Sequence, residues 1–161
     1  MNDPGLLLAR LRVVQELTFQ AAPADEQLQF LTLSNWDAVE MLKAYLNDSY
    51  PMLPVLDSEG LLSPLVLQHA SALGDALLAL DAQLAEEYNR TGRIGALSTN
   101  GIREDPRWAP IRRLARQTLN AFADLGVPVP PLLAPLHNGR PTDDAKANSR
   151  QSETVYGGPP T

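Results

Sequence analysis

The stretch that decides the fold is residues 63–92, SPLVLQHASALGDALLALDAQLAEEYNRTG. Its apolar and aromatic positions recur at steps of three and four: Leu67, Ala70, Leu73, Leu77, Leu80, Leu84 and Tyr88. This spacing is typical of one face of an α-helix. Ser63-Pro64 is a typical helix start and Gly92 a typical helix end, so we expect one helix over about 64–90. At 1.5 Å per residue it would be roughly 40 Å long.

The same helix indicates how the rest of the chain packs. Its spacing is close to a heptad repeat, which suits packing in a bundle or against a second subunit. Gly74 inside it predicts a close contact with a neighbouring helix. Because the segments on either side also have helical patterns, we predict a mostly α-helical bundle built on one long central helix. A single domain would span 1–135.

The N-terminal part of this domain, 1–33, is predicted to hold two helices. Asp3-Pro4 is typical of a cap and first position, and the first helix should run to about Phe19. Its core face should comprise Leu7, Leu8, Leu11, Val14 and Leu17. Arg10, Arg12 and Glu16 fall mostly elsewhere on the helical wheel. A short second helix is expected over 25–31.

Residues 34–126 are predicted to form the core helices. Ser34 and Asp37 resemble a capping box for a helix that begins at Trp36 and stops at about residue 47. Residues 50–60 read as a connector that lies on the core. The last helix should begin at Asp105-Pro106, end at Gly126, and bury one apolar stripe: Trp108, Ile111, Leu114, Ala115, Leu119, Phe122 and Leu125.

Two other elements are expected in the C-terminal half. Asn100-Gly101 lies between short apolar runs, which predicts a small β-hairpin or tight loop near 94–102. After the last helix, the prolines of Val127-Pro128-Val129-Pro130-Pro131 predict an extended arm. The polar stretch 136–161 is predicted to be a disordered tail.

The composition excludes several classes of function. The chain has 161 residues, a net charge of −6, no cysteine and two histidines. Disulfide scaffolds, thiolate zinc sites and cysteine nucleophiles are therefore excluded. No phosphate-binding glycine loop or serine elbow occurs, so we expect no enzyme, no metal and no cofactor. An enzyme would need a pocket with a carboxyl of raised pKa beside Arg or Tyr. No leader or membrane span is expected either.

The charge is unevenly distributed along the chain. Residues 1–89 hold 3 basic and 13 acidic side chains, whereas 90–116 hold seven arginines and two acidic side chains, a net charge of +5. These arginines either pair with the acidic helices, face DNA phosphates, or meet an acidic surface on a neighbouring subunit. The candidate DNA-binding residues are Arg103, Arg107, Arg112, Arg113 and Arg116.

The order of elements from Trp36 to Pro131 resembles one large group of phage terminase small subunits. The matching pieces are Trp36, Gly60-Leu61-Leu62, the helix over 67–88, Gly92, Asn100-Gly101, Asp105-Pro106 and Leu125-Gly126-Val127-Pro128. That family often begins with a basic arm containing Gly, Arg and Pro. Here the N-terminus is acidic, and the only Gly-Arg-Pro is at 139–141.

The resemblance implies a ring-forming, non-enzymatic helical protein in the cytoplasm of a bacterial host. Such a homo-oligomer binds the viral genome near its packaging start and presents this DNA to the terminase large subunit, which is the ATPase and nuclease. The alternative is a helical protein-interaction module or assembly adaptor without DNA contact. In that case the arginines would bind an acidic surface of a partner.

Overall fold

The computed structural model describes residues 3–132, and this part of the chain is mostly helical, as predicted. Its helices are α1 (Pro4–Ala21), α2 (Ala24–Ser34), α3 (Glu40–Ala44), α4 (Leu53–Ser58), α5 (Pro64–Thr91), α6 (Thr99–Glu104) and α7 (Trp108–Asp124). A π-helical turn (Tyr45–Ser49) and a 3-10 turn (Tyr50–Met52) join α3 to α4. A second 3-10 turn, Gly95–Leu97, precedes α6. The predicted tail, 136–161, lies outside the described residues.

Helix α5 confirms the long helix that the sequence predicts. The Ser63 hydroxyl oxygen accepts a hydrogen bond from the N–H of Val66 at 3.1 Å, which caps the first turn. Gly92 ends the helix in the left-handed conformation, with φ 71°. Of the predicted stripe, the positions from Ala70 to Leu84 are buried, whereas Tyr88 is half exposed. The helix therefore leaves the core near its C-terminal end.

The close contact predicted at Gly74 is made with Tyr50. A Cβ atom on Gly74 would overlap the Tyr50 ring. The Tyr50 hydroxyl also donates a hydrogen bond to Asp75 Oδ1 at 2.6 Å. The glycine thus lets the 3-10 turn rest directly on the backbone of α5.

Helix α7, the last helix, packs against the first helix of the described chain. It packs against both α1 and α5, so the first and last helices share one core. Trp108, at its start, is fully buried and donates its indole N–H to the carbonyl of Ala96 at 2.9 Å. Ile111, Ala115 and Phe122 continue the buried stripe. Leu125 is exposed, in contrast to the prediction.

The predicted β-hairpin near 94–102 is wrong. Residues 95–97 form a 3-10 turn and 99–104 form α6, and no strand occurs within 3–132. The Ser98 hydroxyl oxygen accepts from the N–H of Gly101 at 3.0 Å and so caps α6. A Cβ on Gly101 would overlap the carbonyl of Gly95. The glycine is therefore needed for close backbone packing, and the Asn-Gly pair does not form a hairpin turn.

The prediction for residues 34–60 is also wrong in detail. Ser34 ends α2 instead of capping the next helix, and Asn35 follows it with φ 59°. Asp37 Oδ1 accepts from the N–H of Val39 at 3.0 Å, and α3 begins only at Glu40. The chain then stays helical through Pro51, because proline is tolerated in the first turn of a helical segment.

The buried face of α1 differs from the predicted one. Leu7, Leu8 and Leu11 are exposed, and Leu8 is 67% exposed. Glu16, predicted to lie off the core face, is only 7% exposed. The reason is that α7 and the π-helical turn pack on α1 and bury its C-terminal half. No helix among residues 3–132 has both the length and the apolar character needed to cross a membrane.

Candidate functional site

Arg107 lies between two carboxylates. Its Nη2 is 2.7 Å from Asp105 Oδ2, and its Nη1 is 3.0 Å from Glu87 Oε2. These hydrogen bonds, chiefly the one to Asp105, raise the pKa of Arg107, and Arg107 in turn lowers the pKa of Asp105. Asp105 Oδ1 also accepts from the backbone N–H of Arg107. Arg107 therefore ties the start of α7 to the end of α5.

Arg112 is half buried and joins three elements. Its Nε and Nη2 donate to Gln27 Oε1 at 2.9 and 2.8 Å, and Nη2 also donates to the carbonyl of Ile102 at 2.6 Å. Burial, together with the charge of Arg116, lowers the pKa of Arg112. Gln27 in turn links α2 to α1, because its Nε2 donates a hydrogen bond to the carbonyl of Phe19 at 2.9 Å. Arg112 thus positions α2 and α6 around the end of α1.

Within residues 3–132, the guanidinium groups of Arg103 and Arg116 make one polar contact each, and both side chains are exposed. Arg103 Nε is 2.9 Å from Asp25 Oδ1, and the two side chains are 49% and 82% exposed. Arg116 Nη1 donates to the carbonyl of Ala21 at 3.2 Å. Ala21 is the last residue of α1, where the helix dipole favours a cation. Both guanidinium groups still reach solvent.

Arg113 differs from the other four candidates. It is exposed, and it forms no hydrogen bond or ion pair with any residue in 3–132. Its exposed neighbours on α7 include Arg116, Gln117 and Asn120. The structure therefore separates the five predicted residues: Arg107 and Arg112 hold the fold together, whereas Arg103, Arg113 and Arg116 face solvent.

The structure also contains a cavity, lined by carboxyl groups instead of a cluster of arginines, that was not predicted from the sequence. Its volume is about 580 Å³, and it lies between α1, the π-helical turn and residues 130–132. One wall is a cluster of three aromatic rings, Phe19, Phe30 and Trp36, whose centroids are 5.1 to 5.6 Å apart. Trp36 meets the two phenylalanine rings edge-on. We call this space the α1 cavity.

The α1 cavity contains a buried carboxyl group, that of Glu16. The Ser49 hydroxyl donates a hydrogen bond to Glu16 Oε2, and the side chain of Asp48 is a second partner. Burial raises the pKa of Glu16 from 4.5 to about 8, and the charge of Asp48 adds to this shift while Arg12 opposes it. At neutral pH the carboxyl therefore holds a proton, which a hydrogen bond between two carboxyl groups requires.

Tyr45 completes the surroundings of Glu16. Its pKa is raised by burial, with a smaller contribution from the charge of Glu16. Its hydroxyl donates to the carbonyl of Ala70 at 2.8 Å, so it is committed to α5. Residues 3–132 contain no group of three or more His, Cys, Asp or Glu side chains that could hold a metal ion. Glu16 is thus a carboxyl of raised pKa in a cavity that Arg12 also lines, beside Tyr45, which is the feature that an enzyme would need. Because Tyr45 is bonded to Ala70 and Arg12 forms no ion pair with Glu16 within residues 3–132, the chemistry that the cavity offers is exchange of a proton and pairing with a cation.

A sequence signal for Glu16 exists in the second half of α1. Val13, Leu17 and Gln20 are spaced by four and three residues, and this face places Glu16 at its edge. The leucines at the start of α1 instead led to the prediction of a core face that includes Leu7, Leu8 and Leu11 and leaves Glu16 outside it. Trp36 and Phe30 likewise gave no indication that they line a cavity.

Comparisons of this chain with protein-family models, with curated proteins and with solved structures found no match.

Proposed function

We propose that this protein is a non-enzymatic, DNA-binding subunit of a homo-oligomeric ring, of the kind implied by its resemblance to phage terminase small subunits. It binds viral DNA and presents it to the terminase large subunit. The observation that carries this proposal is the arginine-rich region 90–116. In an acidic chain this region has a net charge of +5, and five of its seven arginines are exposed: Arg90, Arg93, Arg103, Arg113 and Arg116.

A ring would repeat the same exposed arginines around one DNA molecule. One copy carries an overall negative charge and few exposed arginines, so its affinity for a phosphate backbone is low. A ring of identical copies presents the same arginines many times to one DNA molecule, and the contacts then act together. Arg113 and Arg116 are suited to this role because Gln117 and Asn120 beside them also offer hydrogen-bond donors.

The test measures mass in solution and DNA binding as a function of salt. We expect a closed oligomer by light scattering and DNA affinity that falls steeply with salt. Arg113→Gln should reduce the slope of log affinity against log salt by about 0.9 for each copy that contacts DNA. Lys43→Gln is the matched control, because it removes one positive charge outside 90–116 and should leave the slope unchanged. Single copies in solution, or equal effects of both variants, would refute the proposal.

The second candidate function is an assembly adaptor without DNA contact. It is favoured by the contacts of Arg103 and Arg107 with carboxylates, and by the exposed Leu7, Leu8 and Leu11 of α1. In that case Leu8→Gln should weaken assembly, because Leu8 is the most exposed of these leucines and its burial by a partner would contribute most to the free energy of association. The protein would then show no measurable DNA binding even at low salt, and Arg113→Gln would have no effect on DNA binding.

A further inference from the structure

We propose that the α1 cavity binds a small organic ammonium ion, with Glu16 and Asp48 as its carboxyl partners and the rings of Phe19, Phe30 and Trp36 as its apolar wall. The cavity has room for such a ligand, with a volume of about 580 Å³. The site is independent of the proposed DNA-binding region, residues 90–116, none of which lines the cavity.

The wall of the cavity suits a cation that carries alkyl groups. Three of the nine Phe, Trp and Tyr side chains of the chain meet here, with neighbouring centroids no more than 5.6 Å apart. Aromatic rings attract an ammonium ion through their π-electron faces, and they pack against its methyl groups. Pro130, Pro131 and Leu132 form a second apolar surface across the cavity. A ligand between the two surfaces would have apolar contacts on both sides.

The carboxyl groups favour a cation over an anion. Glu16 is 7% exposed, and among residues 3–132 no cation lies within 4.0 Å of it. Asp48, in the π-helical turn, is a hydrogen-bond partner of Glu16 and adds a second carboxyl group to the cavity. A buried carboxyl without a positive partner keeps its proton. A ligand ammonium can replace that proton, so that binding ionises Glu16 and releases a proton to solvent.

The charged and titratable groups that face Glu16 all affect the competition between a proton and a cation at its carboxyl group. Arg12 lies on the rim of the cavity, is exposed and forms no ion pair within residues 3–132, and its charge repels an entering cation. Asp48 attracts the cation from the π-helical turn. Tyr45 lies beside Glu16 but donates its hydroxyl to Ala70. Phe30 and residues 130–132 contribute no charge.

The experiment uses isothermal titration of the full chain with choline and with 3,3-dimethylbutan-1-ol, which has the same shape without the charge. We expect choline to bind at least tenfold more tightly than the alcohol. Its affinity should rise with pH, by up to tenfold per unit below the pKa of Glu16, because choline and the proton compete. Titrations in buffers of different ionisation enthalpy should report up to one proton released.

Four variants test the assigned roles. Glu16→Gln should remove the pH dependence and weaken choline binding at least tenfold, and Trp36→Leu should weaken it at every pH. Arg12→Gln should strengthen it several-fold. Arg10→Gln is the matched control on the same helix, because Arg10 contacts the carbonyl of Leu61 and does not line the cavity. If Glu16→Gln does not fold, the exposed Asp48→Asn replaces it and should weaken binding.

Three outcomes would overturn the proposal. The first is no binding of choline at about 10 mM, a concentration that detects millimolar affinity. The second is equal binding of choline and the alcohol, which identifies an apolar site without a role for the carboxyl groups. The third is tighter binding at low pH, or weaker binding by Arg12→Gln, either of which identifies an anion site.

Discussion

Glu16 in α1 and Arg107 at the start of α7 both have a raised pKa, and the consequences for their charge are opposite. Arg107 has a side chain that is 32% exposed and contacts two carboxylates, which raise its pKa and stabilise its positive charge. Glu16, in α1, has a hydroxyl and a second carboxyl as partners, and its pKa rises to about 8 so that it becomes neutral. Burial is the main cause of the shift at Glu16, whereas at Arg107 the hydrogen bonds to carboxylates outweigh the opposing effect of burial. Burial therefore neutralises a charged group unless an oppositely charged partner compensates for it.

The largest expected effect concerns Glu16 and pH. The folded state keeps a proton that the unfolded state releases above pH 4.5, so stability should fall as pH rises from about 4.5 to 8 and then level off. A shift of this size corresponds to a change on the order of 5 kcal/mol. Glu16→Gln removes most of this loss, and the smaller remainder comes from Glu40, whose pKa burial also raises. Urea unfolding at pH 5, 6.5 and 8 measures it.

The matched control for this prediction is Glu86→Gln, which changes an exposed glutamate on α5. It should leave the pH dependence of the parent protein intact. Glu16→Gln should be more stable than the parent at pH 8 and lose that advantage at pH 5. Parallel stability curves for the parent and Glu16→Gln would show that Glu16 ionises normally in the folded protein, and the contrast with Arg107 would disappear.

The second prediction compares two neighbouring arginines of α7. Arg112→Ala leaves Gln27 Oε1 and the carbonyl of Ile102 without their donor, which should cost about 2 kcal/mol. Arg113→Ala removes an exposed side chain without a contact in residues 3–132 and should change stability by no more than about 0.5 kcal/mol. Urea unfolding of both variants at pH 7 distinguishes them. Equal effects would contradict the assignment of Arg112 to the fold and Arg113 to the surface.

The sequence predicted those parts of the fold in which local signals agree with packing. Helix α5 has a Ser-Pro start, a glycine end and a continuous stripe, and all of these are found. In α7 the buried Trp108 is also found, but the predicted Asp105-Pro106 start is wrong, because the helix begins at Trp108 and no side chain caps it. In α5 the capping residues and the apolar face favour the same structure, so local preference and tertiary packing do not compete.

The errors lie where tertiary contacts override local signals. Asn100-Gly101 is a strong hairpin signal, yet here the glycine serves close packing of α6 on the 3-10 turn. The leucines at the start of α1 form a helical stripe, but only the second half of α1 is covered by α7. Among the candidate site residues, residue type marked Arg112 and Arg113 alike as candidates for DNA binding. It could not reveal that Arg112 is half buried, because that depends on the position of Gln27.

The third prediction isolates the ion pair of Arg107. Asp105→Asn keeps an oxygen that accepts from the N–H of Arg107, so it removes the charge but retains this hydrogen bond in the turn before α7. We expect a loss of about 1 kcal/mol at pH 7, since Arg107 keeps Glu87 as a partner. Because Arg107 lowers the pKa of Asp105, the difference between parent and variant should vanish as pH falls below 3.8. A difference that persists at pH 2 would indicate a packing effect.

The smallest effect is expected for Asp25→Asn, which breaks the exposed pair with Arg103. Both side chains face solvent, so the stability should change by no more than about 0.5 kcal/mol, and less at high salt. DNA affinity should respond in the opposite sense to stability. Without Asp25, Arg103 loses a competing carboxylate and the chain loses one negative charge, so under the proposed function the affinity for DNA at low salt should rise. Asp105→Asn is the matched comparison, because Glu87 still holds Arg107 there. If both variants raise DNA affinity equally, only net charge matters and the division into fold-holding and solvent-facing arginines has no functional meaning.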